Sequence, residues 1–277
     1  MCKGYHAGFF DPWGHLMEAW LAYLILGAVA GVLAGLLGIG GGLLIVPVLV
    51  WLYVHQGVDA AVITHLAIGT SLATIVPTAI ASARAHHAHG AVRWDLVWRL
   101  APGVVFGALA GATLAEFLSS DMLRRVFGVF EIALALYMLI GTRPAPQRPL
   151  PGVATLSAGG GVIGLVSSLL GIGGGTLTVP YLVWFNVAVR QAIGTASAVG
   201  LPIALAGAAG FMIHGWQAQG LPAWSAGYIH GPALAGIAIA SFLTAPIGAR
   251  LTHRLPVPLV RRLFALLLMG LGVKMLV

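Results

Sequence analysis

The sequence predicts an all-α polytopic membrane protein. It is expected to hold two inverted-topology repeats, each a glycine-broken, re-entrant helix pair followed by three transmembrane helices. Three observations lead there: an apolar composition, an internal duplication, and an uneven distribution of Lys and Arg between loops. Of the 277 residues, 59% are hydrophobic and only 8% charged, and the mean hydropathy is +0.98. A soluble domain carries about 25% charged residues. Several apolar stretches reach the roughly 20 residues that cross a bilayer as a helix, so the lipid bilayer is the first expected partner. The net charge of +7 does not point to nucleic acid, because the basic residues are sparse and sit in short loops between apolar runs. A single cysteine, Cys2, excludes an internal disulfide and a CxxC metal or redox site. The first 20 residues lack a basic start, an apolar core and a small-residue cleavage site, so no cleavable signal peptide is expected. Tyr5, Phe9, Phe10, Trp13 and Trp20 suit a membrane interface.

The duplication appears on shifting the chain by 133 positions. Residues 31–51 then align with 164–184 at 14 of 21 identities, including "LLGIGGG" at 36–42 and 169–175. A shift of 125 aligns "AIGT" at 67–70 with "AIGT" at 192–195, and a shift of 137 aligns "RRVF" at 124–127 with "RRLF" at 261–264. Three blocks in one order define a segment 1–14, a first repeat 15–141, a Pro-rich linker 142–151 and a second repeat 152–277. In each repeat the glycine-motif region comes first, at about 17–54 and 153–185. Three apolar helices follow, at about 61–83, 95–116 and 122–141, then at about 190–213, 226–249 and 258–276.

Loop charge separates two topologies. If each motif region spans the membrane, Lys and Arg divide seven to seven. If each region dips in and returns, one side collects Arg84, Arg93, Arg99, Arg143, Arg148, Arg190, Arg250, Arg254, Arg261 and Arg262, and the other keeps Lys3, Arg124, Arg125 and Lys274. The ten-to-four division obeys the positive-inside bias. It predicts inverted repeats with both termini outside the cytoplasm.

In a re-entrant hairpin the glycines have work to do. Non-helical backbone at membrane depth survives only when buried in protein or lining a wet cavity, and glycine permits the sharp reversal. Gly38, Gly40, Gly41 and Gly42, and their mates Gly171, Gly173, Gly174 and Gly175, would end one helix and open another near Leu43 or Thr176. The first N–H groups of the new helix are unpaired and favour an anion. Close helix packing is the competing account of the glycines; it fits the spaced sets Gly27/Gly31/Gly35 and Gly103/Gly107/Gly111 better than three in a row. The "AIGT" segments add Thr70, Ser71, Thr74, Thr195 and Ser197, either as donors to an anion or as back-bonded hydroxyls. His65 and Arg190 are equivalent positions that serve either as vestibule groups drawing anions inward or as interfacial side chains.

The "RAHHAHGAVRW" stretch at 84–94 reads as a basic loop, with His86, His87 and His89 as a weaker metal option. Glu131 alone falls well inside an apolar helix, as a proton carrier or as a partner for an Arg. No nucleophile–base pair, Walker loop or nucleotide fingerprint is present, so no enzyme, catalytic residue, cofactor or metal site is expected.

With "GLLGIGGGLLIVPVL" and "SLLGIGGGTLTVPYL" each followed by an "AIGT" segment, the sequence resembles the sulfite exporter TauE/SafE family of bacterial membrane transporters over nearly the whole chain. The resemblance implies an inner-membrane protein that moves sulfite, sulfoacetate or related sulfonates outward without ATP, with a proton gradient as a suitable coupling force. The family's "GTS" stands at 69–71, whereas the second copy reads Gly194–Thr195–Ala196 and loses one hydroxyl. The expectation is a secondary transporter for a small sulfur-containing anion, working by alternating access. An anion channel and a membrane scaffold without transport are the rivals.

Overall fold

The structure is a computed structural model that describes residues 12–37, 41–140, 149–251 and 257–277. The described residues form ten α-helices: α1 (Pro12–Leu37), α2 (Gly42–His55), α3 (Ile63–Ala88), α4 (Trp94–Glu116), α5 (Ser120–Ile140), α6 (Val153–Leu169), α7 (Gly175–Trp184), α8 (Val189–His214), α9 (Gly231–Leu251) and α10 (Val257–Leu276). Among them there is no strand beyond an isolated bridge between Ser225 and His230. The N-terminal aromatics Tyr5, Phe9 and Phe10, the Cys2 thiol, Gly38, Gly40 and most of the linker lie outside the described residues.

Two elements depart from the sequence expectation. The expected basic loop at 84–94 is instead helical as far as Ala88, and α3 stops there because Gly90 takes a left-handed φ of +66°. His86 is therefore buried, with Nε2 3.3 Å from the Gly35 carbonyl oxygen, while His87 accepts from the Trp94 indole at 3.2 Å. Among the described residues no three His, Cys, Asp or Glu gather to hold a metal. The last crossing helix but one starts at Gly231 rather than near 226. Trp224 and Gly227 have positive φ angles of 64° and 56°, which no helix accommodates, and Pro232 suits a first helical turn.

Contacts fix the direction of every helix. Tyr23, near the middle of α1, exchanges hydrogen bonds with Gln56, just past the end of α2. Tyr181, late in α7, donates to the Thr155 carbonyl early in α6 at 3.2 Å. In each glycine-broken pair the second helix therefore runs back alongside the first. Ser82 meets Ser197 at 3.2 Å and Gly69 packs on Phe211, so α3 and α8 are antiparallel. Gly128 lies against Gly272, and Arg261 reaches the Tyr137 carbonyl, so α5 and α10 are antiparallel too. By contrast, Gly27, Gly31 and Gly35 of α1 rest successively on Ile237, Ser241 and Ala245 of α9. Gly103, Gly107 and Gly111 of α4 rest on Ser157, Gly161 and Leu165 of α6. Both pairs are parallel, and both spaced glycine sets are packing ridges that let backbones touch.

By length and composition five helices can cross a membrane: Met17–Leu36, Ile63–Ala88, Trp94–Glu116, Val189–Gln217 and Gly231–Leu251. The stretches α5 and α10 are as long but carry Arg124, Arg125 and Glu131, or Arg261, Arg262 and Lys274. The central helix is α3, with 83% of its apolar stretch buried. Phe106, Phe117, Val162, Leu263 and Leu266 are exposed on the outside, as a lipid-facing belt requires. Trp51 and Trp224 are exposed at one end of the bundle, Trp98 and Trp184 at the other, the placement of interfacial aromatics. This is a multi-pass membrane protein.

The backbone contact between α4 and α6 leaves no room at Gly107, where a Cβ would collide with the Gly161 carbonyl. Gly107→Leu is expected to cost at least about 3 kcal/mol, read as a lower melting temperature of the purified protein. Gly270→Ala, with nothing within 4 Å, should leave the melting temperature level or raised.

Candidate functional site

The second glycine motif divides into a stop and a start. Gly171, with φ +66°, ends α6: its N–H reaches the Ser168 carbonyl at 3.2 Å, and the Ile172 N–H reaches that of Ser167 at 2.9 Å. This is a Schellman cap, and glycine alone enters it without strain. Gly173 and Gly174 follow, and Gly174 caps α7 in the right-handed region, its carbonyl accepting from the Thr178 N–H at 2.8 Å. In the first copy Gly41 caps α2 with φ +77° and accepts from Leu44 and Ile45 at 3.0 and 3.1 Å. Neither cap offers a side chain. The first-turn N–H groups of both helices therefore keep their partial positive charge.

The two motifs meet inside the bundle. Gly42, first residue of α2, packs directly on the carbonyl oxygen of Gly171, and Gly171 touches Ile68 of α3 and Val46 of α2. Ser71 donates to the same Gly171 carbonyl at 2.8 Å. Beside this junction is a small cavity walled by Ala34, Thr78, Ser82, Gly173, Gly174 and Ser197, among others, with no charged side chain in its lining. Its hydroxyls already donate elsewhere, Thr78 to the Thr74 carbonyl, Ser197 to that of Ile193 and Ser82 to Ser197, so what the lining can offer is backbone N–H, and no cation.

The sequence-expected residues distribute unevenly around it. Gly173, Gly174 and Ser197 line the cavity, and Gly175 and Thr176 open α7 next to it. Gly41, Gly42 and the buried Leu43 lie across the junction. Thr70 and Thr195 are elsewhere. The Thr70 hydroxyl accepts the His230 N–H at 2.9 Å and the Thr195 hydroxyl accepts the Arg93 N–H at 3.0 Å. Their neighbours Gly69 and Gly194 pack on the carbonyls of Tyr228 and Ala91. In both repeats, then, the Gly-Thr of "AIGT" receives the loop that leads into a helix of the other repeat. His65 is buried, with Nε2 3.0 Å from the Ala115 carbonyl and its ring on Tyr228, while Arg190 is exposed. His230, between the rings of Tyr23 and Tyr53, has its pKa pushed down to about 4 by burial and is neutral at physiological pH.

Sequence reasoning missed Thr78 and Ser82. Thr70, Thr74, Thr78 and Ser82 recur every fourth residue, which places them on one face of α3, and that spacing was the available signal. Glu131 is fully buried, and neither carboxyl oxygen has a hydrogen-bond partner. The Arg-partner reading of Glu131 therefore finds no support among the described residues.

The family described as "Sulfite exporter TauE/SafE" matches residues 23–275. A probable membrane transporter protein of Haemophilus influenzae is 38% identical over 257 residues, covering 92% of this chain and 97% of that one. A probable membrane transporter protein of Methanocaldococcus jannaschii is 31% identical over 234 residues, covering 81% and 80%. No solved structure matches the chain.

The Thr70 and Thr195 bonds make a stability prediction. Thr70→Val leaves a buried loop N–H without an acceptor, at a cost of about 1–3 kcal/mol, and Thr195→Val does the same to a half-buried one at the lower end of that range, whereas Thr→Ser at either site should be close to neutral. Thermal unfolding without added anion reads the difference.

Proposed function

Because the chain belongs to the sulfite exporter TauE/SafE family of membrane transporters, we propose that it is a secondary transporter that exports a small sulfur-containing anion, sulfite or an organosulfonate. In this reading the anion binds where the two glycine motifs meet. Backbone N–H groups at 40–43 and 173–176, assisted by nearby hydroxyls, receive it. The junction of two uncapped helix starts beside an uncharged, donor-lined cavity is the observation that carries the proposal.

The topology assigned to it is an inverted repeat of three crossings plus one re-entrant hairpin per unit. Support comes from the antiparallel packing of equivalent helices, α3 with α8 and α5 with α10. It comes also from the exchange of α1–α9 for α6–α4 under the repeat. Tracing the helices by their contacts puts Arg84, Arg93, Arg99, Arg190, Arg250, Arg261 and Arg262 towards one face, and Arg124, Arg125 and Lys274 towards the other. The Arg-rich face is the cytoplasmic one by the positive-inside bias, so both termini are external and the α6–α7 hairpin enters from the cytoplasm.

The cavity lies in the half of the bundle nearer the Arg-rich face, beside Thr78 and Ser82 late in α3. The repeat mates of its lining residues Ser197 and Thr78 are Leu72 and Ile203, both fully buried. Leu72 packs on Gly207 and Ile203 on Gly174. Buried apolar side chains at the mirrored positions and a small polar-walled space in the other half suit alternating access better than an open channel. Glu131 is the membrane-embedded carboxyl suited to carry a coupled proton.

Gly174→Val is the sharpest test, because Gly174 has ordinary right-handed backbone and the added side chain would crowd the cavity wall, its first carbon 2.7 Å from the movable tip of Ile203. Radiolabelled sulfite uptake into proteoliposomes should fall to background while the protein still inserts; unchanged flux would sink the proposal. For the topology, a membrane-impermeant maleimide on intact cells should label Cys2, and labelling only after lysis would reverse the assignment of faces.

A further inference from the structure

At the shift of 133, residues 31–51 and 164–184 differ at seven positions. At four of them the second copy carries a serine or threonine where the first has none: Ser167 for Ala34, Ser168 for Gly35, Thr176 for Leu43 and Thr178 for Ile45; a fifth hydroxyl, on Tyr181 for Val48, is spent on the Thr155 carbonyl. All four are buried, Ser167, Ser168 and Thr178 at 0% exposure and Thr176 at 6%. None of the four hydroxyls has a hydrogen-bond partner.

That is unusual chemistry for a transmembrane helix. A serine or threonine there ordinarily gives its proton to the carbonyl four residues back. Thr78 and Ser197 do so, to Thr74 and Ile193 at 2.8 and 3.1 Å. The α6–α7 hydroxyls stay unspent, and in lipid no bulk water is at hand to satisfy them. Thr178 Oγ1 lies 3.4 Å from the point where a Cβ would stand on Gly174. Its free hydroxyl therefore faces the residue that both caps α7 and walls the cavity.

We propose that the second hairpin alone supplies the side-chain donors of the anion site, the hydroxyls of Thr178, Thr176, Ser168 and Ser167 joining the backbone N–H groups of the helix starts as neutral donors for a singly charged oxoanion or sulfonate. The first hairpin, with Ala34, Gly35, Leu43 and Ile45, is the apolar wall against which the second works. The inference rests on the transport reading above and narrows its substrate class. Neutral donors can balance one delocalised charge. A second charge, with no cation in the cavity lining, meets an uncompensated desolvation cost.

The test uses the full chain in proteoliposomes with radiolabelled sulfite. Thr178→Val removes one donor to a charged ligand and should raise KM about tenfold or more, while Thr178→Ser restores it to near the parent value. Ile45→Val, the mirror position in the first hairpin, should leave KM within about twofold. Methanesulfonate should compete and methanedisulfonate, with two charges, should not. Ser168→Ala, checked for an unaltered size-exclusion profile, repeats the measurement if Thr178→Val folds poorly. Normal KM in Thr178→Val and Ser168→Ala, an equal rise in Ile45→Val, or equal competition by the disulfonate overturns the one-sided site while leaving transport intact. A parent protein that moves no sulfite and is not inhibited by any sulfonate overturns the transport reading, and this inference with it.

Discussion

A break between helices leaves backbone N–H and C=O groups that an apolar interior cannot satisfy, and the packing of this protein turns on enclosing the breaks at its two glycine motifs. The enclosure is mutual. Gly42 of one hairpin sits on the carbonyl of Gly171 in the other, and Ser71 of α3 donates to that same carbonyl. α3 and α8, the most enclosed of the apolar helices, run antiparallel past the junction and seal it from lipid. The spaced glycines of α1 and α4 then bring α9 and α6 close enough to complete the wall.

The halves are locked together by bonds that obey the repeat to the residue. Gly69 and Thr70 hold the backbone of Tyr228 and His230; Gly194 and Thr195 hold that of Ala91 and Arg93. Tyr228 and His230 are the positions 137 beyond Ala91 and Arg93, the same shift that relates the fourth helices of the two units. The "AIGT" segment is thus a socket for the opposite unit. Each socket is a rigid contact between halves, so a transition that rocks one half on the other has to pivot at, or break, these two points.

The scaffold is symmetric and the space within it is not. The cavity beside Gly174 is walled by Thr78, Ser82 and Ser197, while Ile203, Gly207 and Leu72 stand at the mirrored positions. Gly41 and Gly174, equivalent caps, differ in hand, φ +77° against −57°. Duplication provides two helix starts, and the hydroxyls around the cavity come from both copies, Thr78 and Ser82 from the first and Ser197 from the second.

The sequence alone determined the all-helical, membrane-spanning class and the glycine stops and starts, and it gave two units of opposed orientation as an expectation from the repeat and loop charge. These are written in composition and local pattern: apolar run length, repeat offset, and a backbone conformation that only glycine tolerates at Gly171. Tertiary structure decided what each hydroxyl does. Thr70 and Thr195 look like site residues in a motif, yet their oxygens accept loop N–H groups 160 and 102 residues away in sequence. Ser167, Ser168 and Thr178, unremarked in the sequence, are left without partners. His86 looked like part of a loop and is a buried helical residue. A hydroxyl's role depends on whether some distant backbone group has already claimed its hydrogen bond, and that is settled only when the chain is packed.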